Sequence, residues 1–184
     1  NFFSPQSEWL PPKNFPDLSD AKEIAFDLET KDPQLKTRGP GWMTNNGHII
    51  GVAVAVDGWK GYYPIRHENG FNFDPGRVLK WTAKVLSTNA IKIAHNAVYD
   101  LGWLHAEGIK VNGTMSMATI LNENKFSYAL NSVGKDLLNE IKDETKLKQA
   151  ASDFGVDPKN EMYKLPAIFV GDYAEQDADL TLRL

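Results

Sequence analysis

The chain has 184 residues, of which 42% are hydrophobic and 24% charged, a balance typical of a single globular domain with a sizeable core. It contains no cysteine, so disulfides and thiolate chemistry are excluded, and no apolar run approaches the roughly 18 residues that a membrane span needs. The formal net charge of −4 argues against a protein that grips duplex nucleic acid nonspecifically over many phosphates.

The first residues are rich in proline, with Pro5, Pro11, Pro12 and Pro16 close together. This predicts an irregular lead-in over residues 1–17 and a folded domain over residues 18–184. Because the chain begins without Met and its last residues read as a running helix, we expect it to be a piece of a longer polypeptide.

The stretch Ile24–Thr30 alternates between large apolar residues on one side and Ala25, Asp27 and Glu29 on the other, as a central strand does. Two carboxylates about 6–7 Å apart on such a strand repel each other unless a cation lies between them. The pattern alone leaves two interpretations open, namely ordinary surface charges or a metal site.

The rest of the chain predicts an α/β fold. The predicted strands after the first are His48–Val56, Gly61–Ile65, Ile91–Ala94 and Ile109–Met115, with a long loop over residues 31–47. The predicted helices are Pro75–Leu86, Ala97–Glu107, Met117–Leu121, Leu130–Glu140, Lys146–Phe154 and one that starts near Gly171. This order predicts a mixed sheet, a three-strand antiparallel meander plus parallel strands, with helices on its faces.

Two further pairs of polar residues are spaced to share one face of a helix. Asn96 and Asp100 lie four residues apart after a strand, and Tyr173 and Asp177 lie four apart in the last helix. Taken singly, the first pair reads as a helix cap with a solvated acid, and the second is commonplace.

Taken together, the order Asp-x-Glu, Asn-x-x-x-Asp and Tyr-x-x-x-Asp resembles the three exonuclease motifs of the DEDD (DnaQ-like) family, and the tyrosine marks the tyrosine subclass. From about residue 18 onward, the chain is similar to the proofreading domain of phage-type family A DNA polymerases. The segments that carry this likeness are Phe26–Pro33, Gly51–Val56, Tyr62–Glu68, Ser127–Asn131 and Tyr173–Leu182. The chain departs from the pattern before Thr114, where the family often has Asp and this chain has Gly113, a position that we interpret as structural.

The resemblance implies a ribonuclease H-like fold and hydrolysis of DNA from the 3′ end. A phosphodiester is anionic, so four carboxylates can approach it only with cations between them, and oxygen ligands favour Mg²⁺ or Mn²⁺ over zinc. Two such ions about 3.5–4 Å apart could activate water and stabilise the leaving oxygen. By the resemblance, Asp27 bridges both ions, Glu29 and Asp177 complete the first site, and Asp100 holds the second.

The resemblance also assigns roles to three other residues. Tyr173, with an unperturbed pKa near 10, orients the attacking water rather than acting as a free base. Thr30 and Asn96 contact the terminal nucleotide. The implied partners are single-stranded DNA or a frayed primer 3′ end, and a polymerase domain covalently linked after the last residue. We expect no membrane partner, a monomer, and a cytoplasmic location (the host cytoplasm if the source is a phage).

Three functions remain open at this stage: a DNA exonuclease, an exoribonuclease that trims RNA 3′ ends, and a non-catalytic spacer that keeps the fold. The retained carboxylates speak against the spacer. Two charged segments are also predicted to be solvated. Arg66–Glu68 reads as a surface loop, with phosphate binding as its alternative, and Lys142–Lys148 reads as a solvated helix face.

Overall fold

The computed structural model describes residues 7–117, 130, 134–135 and 138–184. Its centre is a five-stranded sheet in the order β3-β2-β1-β4-β5. The strands are β1 (Glu23–Lys31), β2 (His48–Val56), β3 (Trp59–Pro64), β4 (Ile91–Ala94) and β5 (Met115–Met117). The first three are antiparallel neighbours, whereas β4 and β5 run parallel to β1. The predicted mixed sheet is therefore confirmed, and β1 is its central strand.

Helices cover both faces of this sheet. They are α1 (Leu35–Arg38), α2 (Gly41–Thr44), α3 (Pro75–Leu86), α4 (Ala97–Ala106), α5 (Thr145–Phe154) and α6 (Gly171–Arg183), with 3₁₀ turns at Met162–Lys164 and Ala167–Phe169. Among the residues described, no helix is both long and apolar enough to cross a bilayer.

The alternation along β1 decides which helices lie on which face. Its large residues, Ile24, Phe26 and Leu28, join the core that α3 and α4 cover. Its other face carries Ala25, which packs with the small residues of β2 and of α6 in a second core. Small side chains let a helix approach a sheet closely, so α6 lies against β1 on the same face as Asp27 and Glu29.

A half-buried carboxylate helps to fix the position of α6. Glu175 Oε1 accepts hydrogen bonds from the Tyr62 backbone N–H at 3.0 Å and from the Trp9 indole N–H at 2.9 Å. Trp9 packs so closely on Gly171 that a Cβ there would lie 2.0 Å from the indole. Residues 7–22 form no helix or strand, yet this segment is packed onto the domain through Trp9. The boundary predicted at residue 17 stays a prediction.

The secondary structure predicted from the sequence was wrong at two places among the described residues. The long loop over residues 31–47 contains α1 and α2. The fifth strand begins at Met115 rather than at Ile109, because the backbone N–H of Ile109 bonds back to Leu104 and Gly113 has a φ of +85°, which ends any extended run. The helix predicted over Met117–Leu121 lies outside the described residues except for Met117, which ends β5. Five of the eleven residues of the predicted helix Leu130–Glu140 also lie outside them, as do four of the five residues of the segment Ser127–Asn131.

A glycine opposite Glu29 makes room for a buried tyrosine beside the acidic residues. Gly51 is the register partner of Glu29, and the pairing of β1 with β2 shifts just after it. A Cβ at Gly51 would lie 2.1 Å from the hydroxyl oxygen of Tyr62. Tyr62 is fully buried, and its hydroxyl is hydrogen-bonded to His67 Nε2 at 2.7 Å, so the ring has little freedom to move.

We therefore expect Gly51→Ala to lower the free energy of unfolding by about 1–3 kcal/mol, the usual cost of overpacking a well-filled core. Urea denaturation of the parent and the variant measures it. Gly76→Ala, in the first turn of α3, is the matched control, because its Cβ would meet nothing closer than 3.4 Å. This control should be neutral or slightly stabilising. A Gly51→Ala protein as stable as the parent would show that Tyr62 repacks freely.

Candidate active site

Three carboxylates meet between the second half of β1 and the middle of α6. Asp27 and Glu29 come from β1 and Asp177 from α6, and one oxygen of each lies within 4.8 Å of the other two. Asp177 is 6% exposed, and the two β1 residues are half-buried. Oxygen donors at this spacing suit a hard divalent cation, so this acidic cluster fits a metal ion.

A fourth carboxylate approaches from the other face of the sheet. Asp100, in the first turn of α4, is 2% exposed and is hydrogen-bonded to the backbone of Leu28. Its Oδ2 has no hydrogen-bond partner among the described residues. Asp100 does not belong to the group of three, but the charge of Asp27 acts on it. It is thus placed to extend the acidic cluster on its second side.

Burial and mutual repulsion make these acids hard to ionise without a cation. Burial raises the pKa of Asp27 to about 7, the charge of Asp177 adds to the rise, and the charge of Lys142 opposes it. Burial followed by the charge of Asp27 raises the pKa values of Glu29 and Asp100 well above their ordinary values. A bound cation would favour the ionised forms of all of them.

The positive charge at this cluster is a lysine that the sequence analysis placed wrongly. Lys142 Nζ lies 2.8 and 2.9 Å from the two oxygens of Asp177, and its side chain is only 8% exposed. Its neighbours Lys146 and Lys148 pair at the surface with Asp172 and Glu144, as a solvated face does. All three lysines lie in one polar segment that also contains Asp143 and Glu144, so no local signal distinguishes the buried one.

Tyr173 stands beside Asp177 on the same side of α6. Its hydroxyl accepts a hydrogen bond from Lys142 Nζ at 3.1 Å and is hydrogen-bonded to Asp177. Burial and then the charges of the carboxylate cluster raise the pKa of Tyr173 above its ordinary value. The hydroxyl therefore stays protonated near neutral pH.

The two residues predicted to touch a nucleotide lie at the edge of the cluster. Thr30 Oγ is 2.8 Å from the hydroxyl of Tyr99, which donates to Asp32 Oδ2 at 2.9 Å. Asp32 Oδ2 also accepts from the Gly41 backbone, so this chain of bonds joins β1, α4 and α2. Asn96 is exposed as the N-cap of α4, without a side-chain capping bond. Their roles stay predictions. Asp32 and Tyr99 were not predicted as site residues because neither occupies a fixed position of the three motifs.

The solvated loop predicted at Arg66–Glu68 is wrong for its first two residues. The Arg66 guanidinium forms a bidentate ion pair with Glu107, which leaves it poorly placed to meet phosphate. His67 is buried, with its two ring nitrogens 2.7 Å from the Tyr62 hydroxyl and 2.8 Å from the Leu165 carbonyl. This segment is therefore structural.

Solved structures share this architecture. The chain superposes on RNase D of Trypanosoma brucei with a TM-score of 0.65 at 20% identity, over 90% of this chain and 57% of that one. The catalytic core of RRP6 from the same organism gives a TM-score of 0.58 at 20% identity, over 90% of this chain and 39% of that one. At these identities the likeness shows the fold, which is ribonuclease H-like.

Sequence comparisons extend over nearly the whole chain. It is 37% identical to a DNA-directed DNA polymerase of Pseudomonas phage M6, over 100% of this chain but 29% of that protein. It is 27% identical to the DNA polymerase DpoZ of Salmonella phage PMBT28, over 92% of this chain and 27% of that protein. The chain thus spans less than a third of the length of these relatives. A family model described as a 3′-5′ exonuclease matches residues 11–184, and the chain therefore belongs to this family of 3′–5′ exonuclease domains.

Proposed function

We propose that this chain hydrolyses DNA from 3′ ends, one nucleotide at a time, with two Mg²⁺ or Mn²⁺ ions, as the proofreading domain of a DNA polymerase. The observation that supports this most is the convergence of Asp27, Glu29 and Asp177 within 4.8 Å, with the buried Asp100 beside them. A cluster of this kind repels a nucleic acid strand unless cations are bound, and family membership supplies the reaction class.

The carboxylates divide between two sites. Asp27, Glu29 and Asp177 would hold one ion, and Asp100, together with Asp27, would hold the other. Bound there, two cations would neutralise the phosphodiester, activate water and stabilise charge on the leaving 3′-oxygen. The contribution of the chain is to hold these oxygens in place, through the packing of α6 against β1 and the hydrogen bond from Leu28 to Asp100.

The remaining residues position the reactants. The Tyr173 hydroxyl is protonated, so it would orient the attacking water by hydrogen bonding instead of removing its proton. Thr30 and Asn96 would contact the terminal nucleotide. The bonds from Thr30 through Tyr99 to Asp32 would hold that edge of the site in register with α2.

DNA is favoured over RNA because both phage relatives are named as DNA polymerases. The likeness to RNase D supports the fold alone. The full protein would then carry a polymerase domain linked to this exonuclease domain of residues 18–184, which acts as a monomer on single-stranded DNA or a frayed primer end. A non-catalytic spacer is disfavoured, since such a role needs none of the four acids.

Asp27→Ala and Asp177→Ala should each abolish hydrolysis while leaving the fold intact. Each removes a ligand of the cluster. In the metal-free domain Asp27→Ala also relieves repulsion, so its melting temperature in chelator should not fall, whereas Asp177→Ala leaves the buried Lys142 without this partner and should melt somewhat lower. Release of nucleotides from a labelled DNA oligomer with Mg²⁺, beside thermal melts in chelator, measures both effects.

Asp179→Ala is the matched control for these variants. Asp179 lies on α6 two residues from Asp177, but its carboxylate faces Arg183 at 3.2 Å and Lys60 at 3.8 Å, away from the acidic cluster. The control should keep parental activity. A rate within a few-fold of the parent for Asp27→Ala would overturn the assignment, and faster release from an RNA oligomer would favour the exoribonuclease.

Tyr173→Phe should lower the rate by about 10–10⁴-fold, the range of a positioned proton-transfer group, with Mn²⁺ affinity largely preserved. Single-turnover rates and calorimetric Mn²⁺ titrations measure the two quantities. Tyr63→Phe serves as the control, because the Tyr63 hydroxyl bonds to the Asn14 carbonyl on the other face of the sheet. Equal losses of affinity and rate in Tyr173→Phe would assign it a structural role.

Single strands should be degraded fastest, mismatched duplex ends next and matched ends slowest. Because the chain carries a net negative charge, it binds duplex DNA weakly. The terminal nucleotide must therefore unpair before it can be cleaved. Opening a matched end costs about 1–2 kcal/mol per base step, which predicts a gap of roughly 5- to 30-fold between the two duplex types. Labelled oligomers that differ only in the last pair, compared at one salt concentration, test this. Equal rates on both duplexes would mean that this domain does not select by fraying.

A further inference from the structure

A lysine ammonium occupies the side of the acidic cluster that α6 supplies. Lys142 Nζ contacts both carboxylate oxygens of Asp177, at 2.8 and 2.9 Å, and the hydroxyl of Tyr173 at 3.1 Å. It also lies 4.4 Å from the centroid of the Tyr173 ring. Two residues that the proposed reaction needs are therefore engaged by one cation of the chain itself.

A divalent cation on Asp177 would lie close to this ammonium. A Mg²⁺–oxygen bond is about 2.0–2.1 Å long, so an ion bound to an oxygen that is 2.8 Å from Nζ would lie within about 5 Å of it. Like charges at that distance in a largely buried site repel strongly. Nζ donates a hydrogen bond to Asp177 Oδ2 and lies 2.8 Å from Oδ1, which has no hydrogen-bond partner among the described residues, so the ammonium and the divalent cation compete for one carboxylate.

Lys142 is able to leave without unfolding the segment that carries it. Lys142 lies three residues before Thr145, the first residue of α5, and between the exposed residues Ile141 and Asp143. The Asp143 backbone N–H donates to Gln176 Oε1 at 3.1 Å, which tethers the segment to α6 while the long, flexible lysine stem turns. The ammonium can thus move to solvent and stay near the site.

We propose that Lys142 is an internal counter-ion of the acidic cluster, which holds Asp177 in the metal-free domain and is displaced when a divalent cation binds. Metal loading is then an exchange of cations. Lys142 stabilises the metal-free fold and, by the same contacts, weakens the affinity for the metal. This inference rests on the metal site proposed above and adds a residue that tunes it.

Calorimetric titration of the substrate-free chain with Mn²⁺ tests the exchange. Lys142→Met keeps an unbranched side chain that is one atom shorter and removes its charge, so Mn²⁺ affinity should rise at least about 10-fold. In chelator the same variant should melt at least about 4 °C below the parent, because the carboxylates have lost their counter-ion. Lys84→Met makes the same change in net charge on α3, where Lys84 is exposed and pairs with Asp17, and it should change neither quantity.

Two further measurements keep the test decisive if Lys142→Met does not fold. Lys142→Arg retains the charge, so its Mn²⁺ affinity should stay within about 3-fold of the parent. In the parent itself, acetylation of the Lys142 amine, followed by mass spectrometry, should be slow in chelator and accelerate with Mg²⁺, while acetylation of Lys84 stays constant. Unchanged or weaker Mn²⁺ affinity in Lys142→Met, or acetylation of Lys142 that Mg²⁺ does not accelerate, would overturn the exchange alone. Absence of Mn²⁺ binding to the parent would overturn the metal site and the exchange together.

Discussion

The repulsion among four carboxylates constrains the rest of this structure. Asp27, Glu29, Asp100 and Asp177 are gathered in a site where burial and each other's charge disfavour ionisation. In water such acids would separate, since nothing favours bringing like charges together. The fold holds them in place by rigid elements on both faces of the sheet and supplies one compensating cation, Lys142. The site therefore favours positive charge, and in the metal-free form the Lys142 ammonium supplies it.

The two faces of β1 make this arrangement possible because they differ in side-chain size. Large residues on one face build the core with α3 and α4. Small residues on the other face let α6 approach the sheet closely, and Glu175 holds it there through Tyr62 and Trp9. This close approach brings Asp177 to Asp27 and Glu29. Gly51 extends the same principle, since the space it leaves admits the Tyr62 ring next to the acidic residues.

The hydrogen-bonded edge around Thr30, Tyr99 and Asp32 complements the acidic cluster. It joins β1, α4 and α2 through side chains that lie far apart in sequence. Loops that contact a ligand need hydrogen bonds of this kind, because without them they do not keep the geometry that a bound strand end requires. The short helix α2 is part of this edge through the Gly41 backbone, where glycine and proline predict a loop.

The sequence by itself determined the features that depend on local periodicity and on motif spacing. The alternation of Ile24–Thr30 defined a central strand with Asp27 and Glu29 on one face, and the four-residue spacings placed Asp100 and Asp177 on single helical faces. Motif order then identified the exonuclease family, which the comparisons confirm.

What local pattern could not supply is the environment of each charge. Lys142, Lys146 and Lys148 look alike in sequence, and only the packing of the segment before α5 against α6 buries the first among acids and leaves the others in solvent. Arg66 and His67 likewise read as a polar loop, and their partners Glu107 and Leu165 come from distant parts of the chain. The sequence shows which residues are charged. Whether a charge is buried, and which group it pairs with, depends on contacts between residues that lie far apart in the sequence. Those contacts exist only in the folded chain.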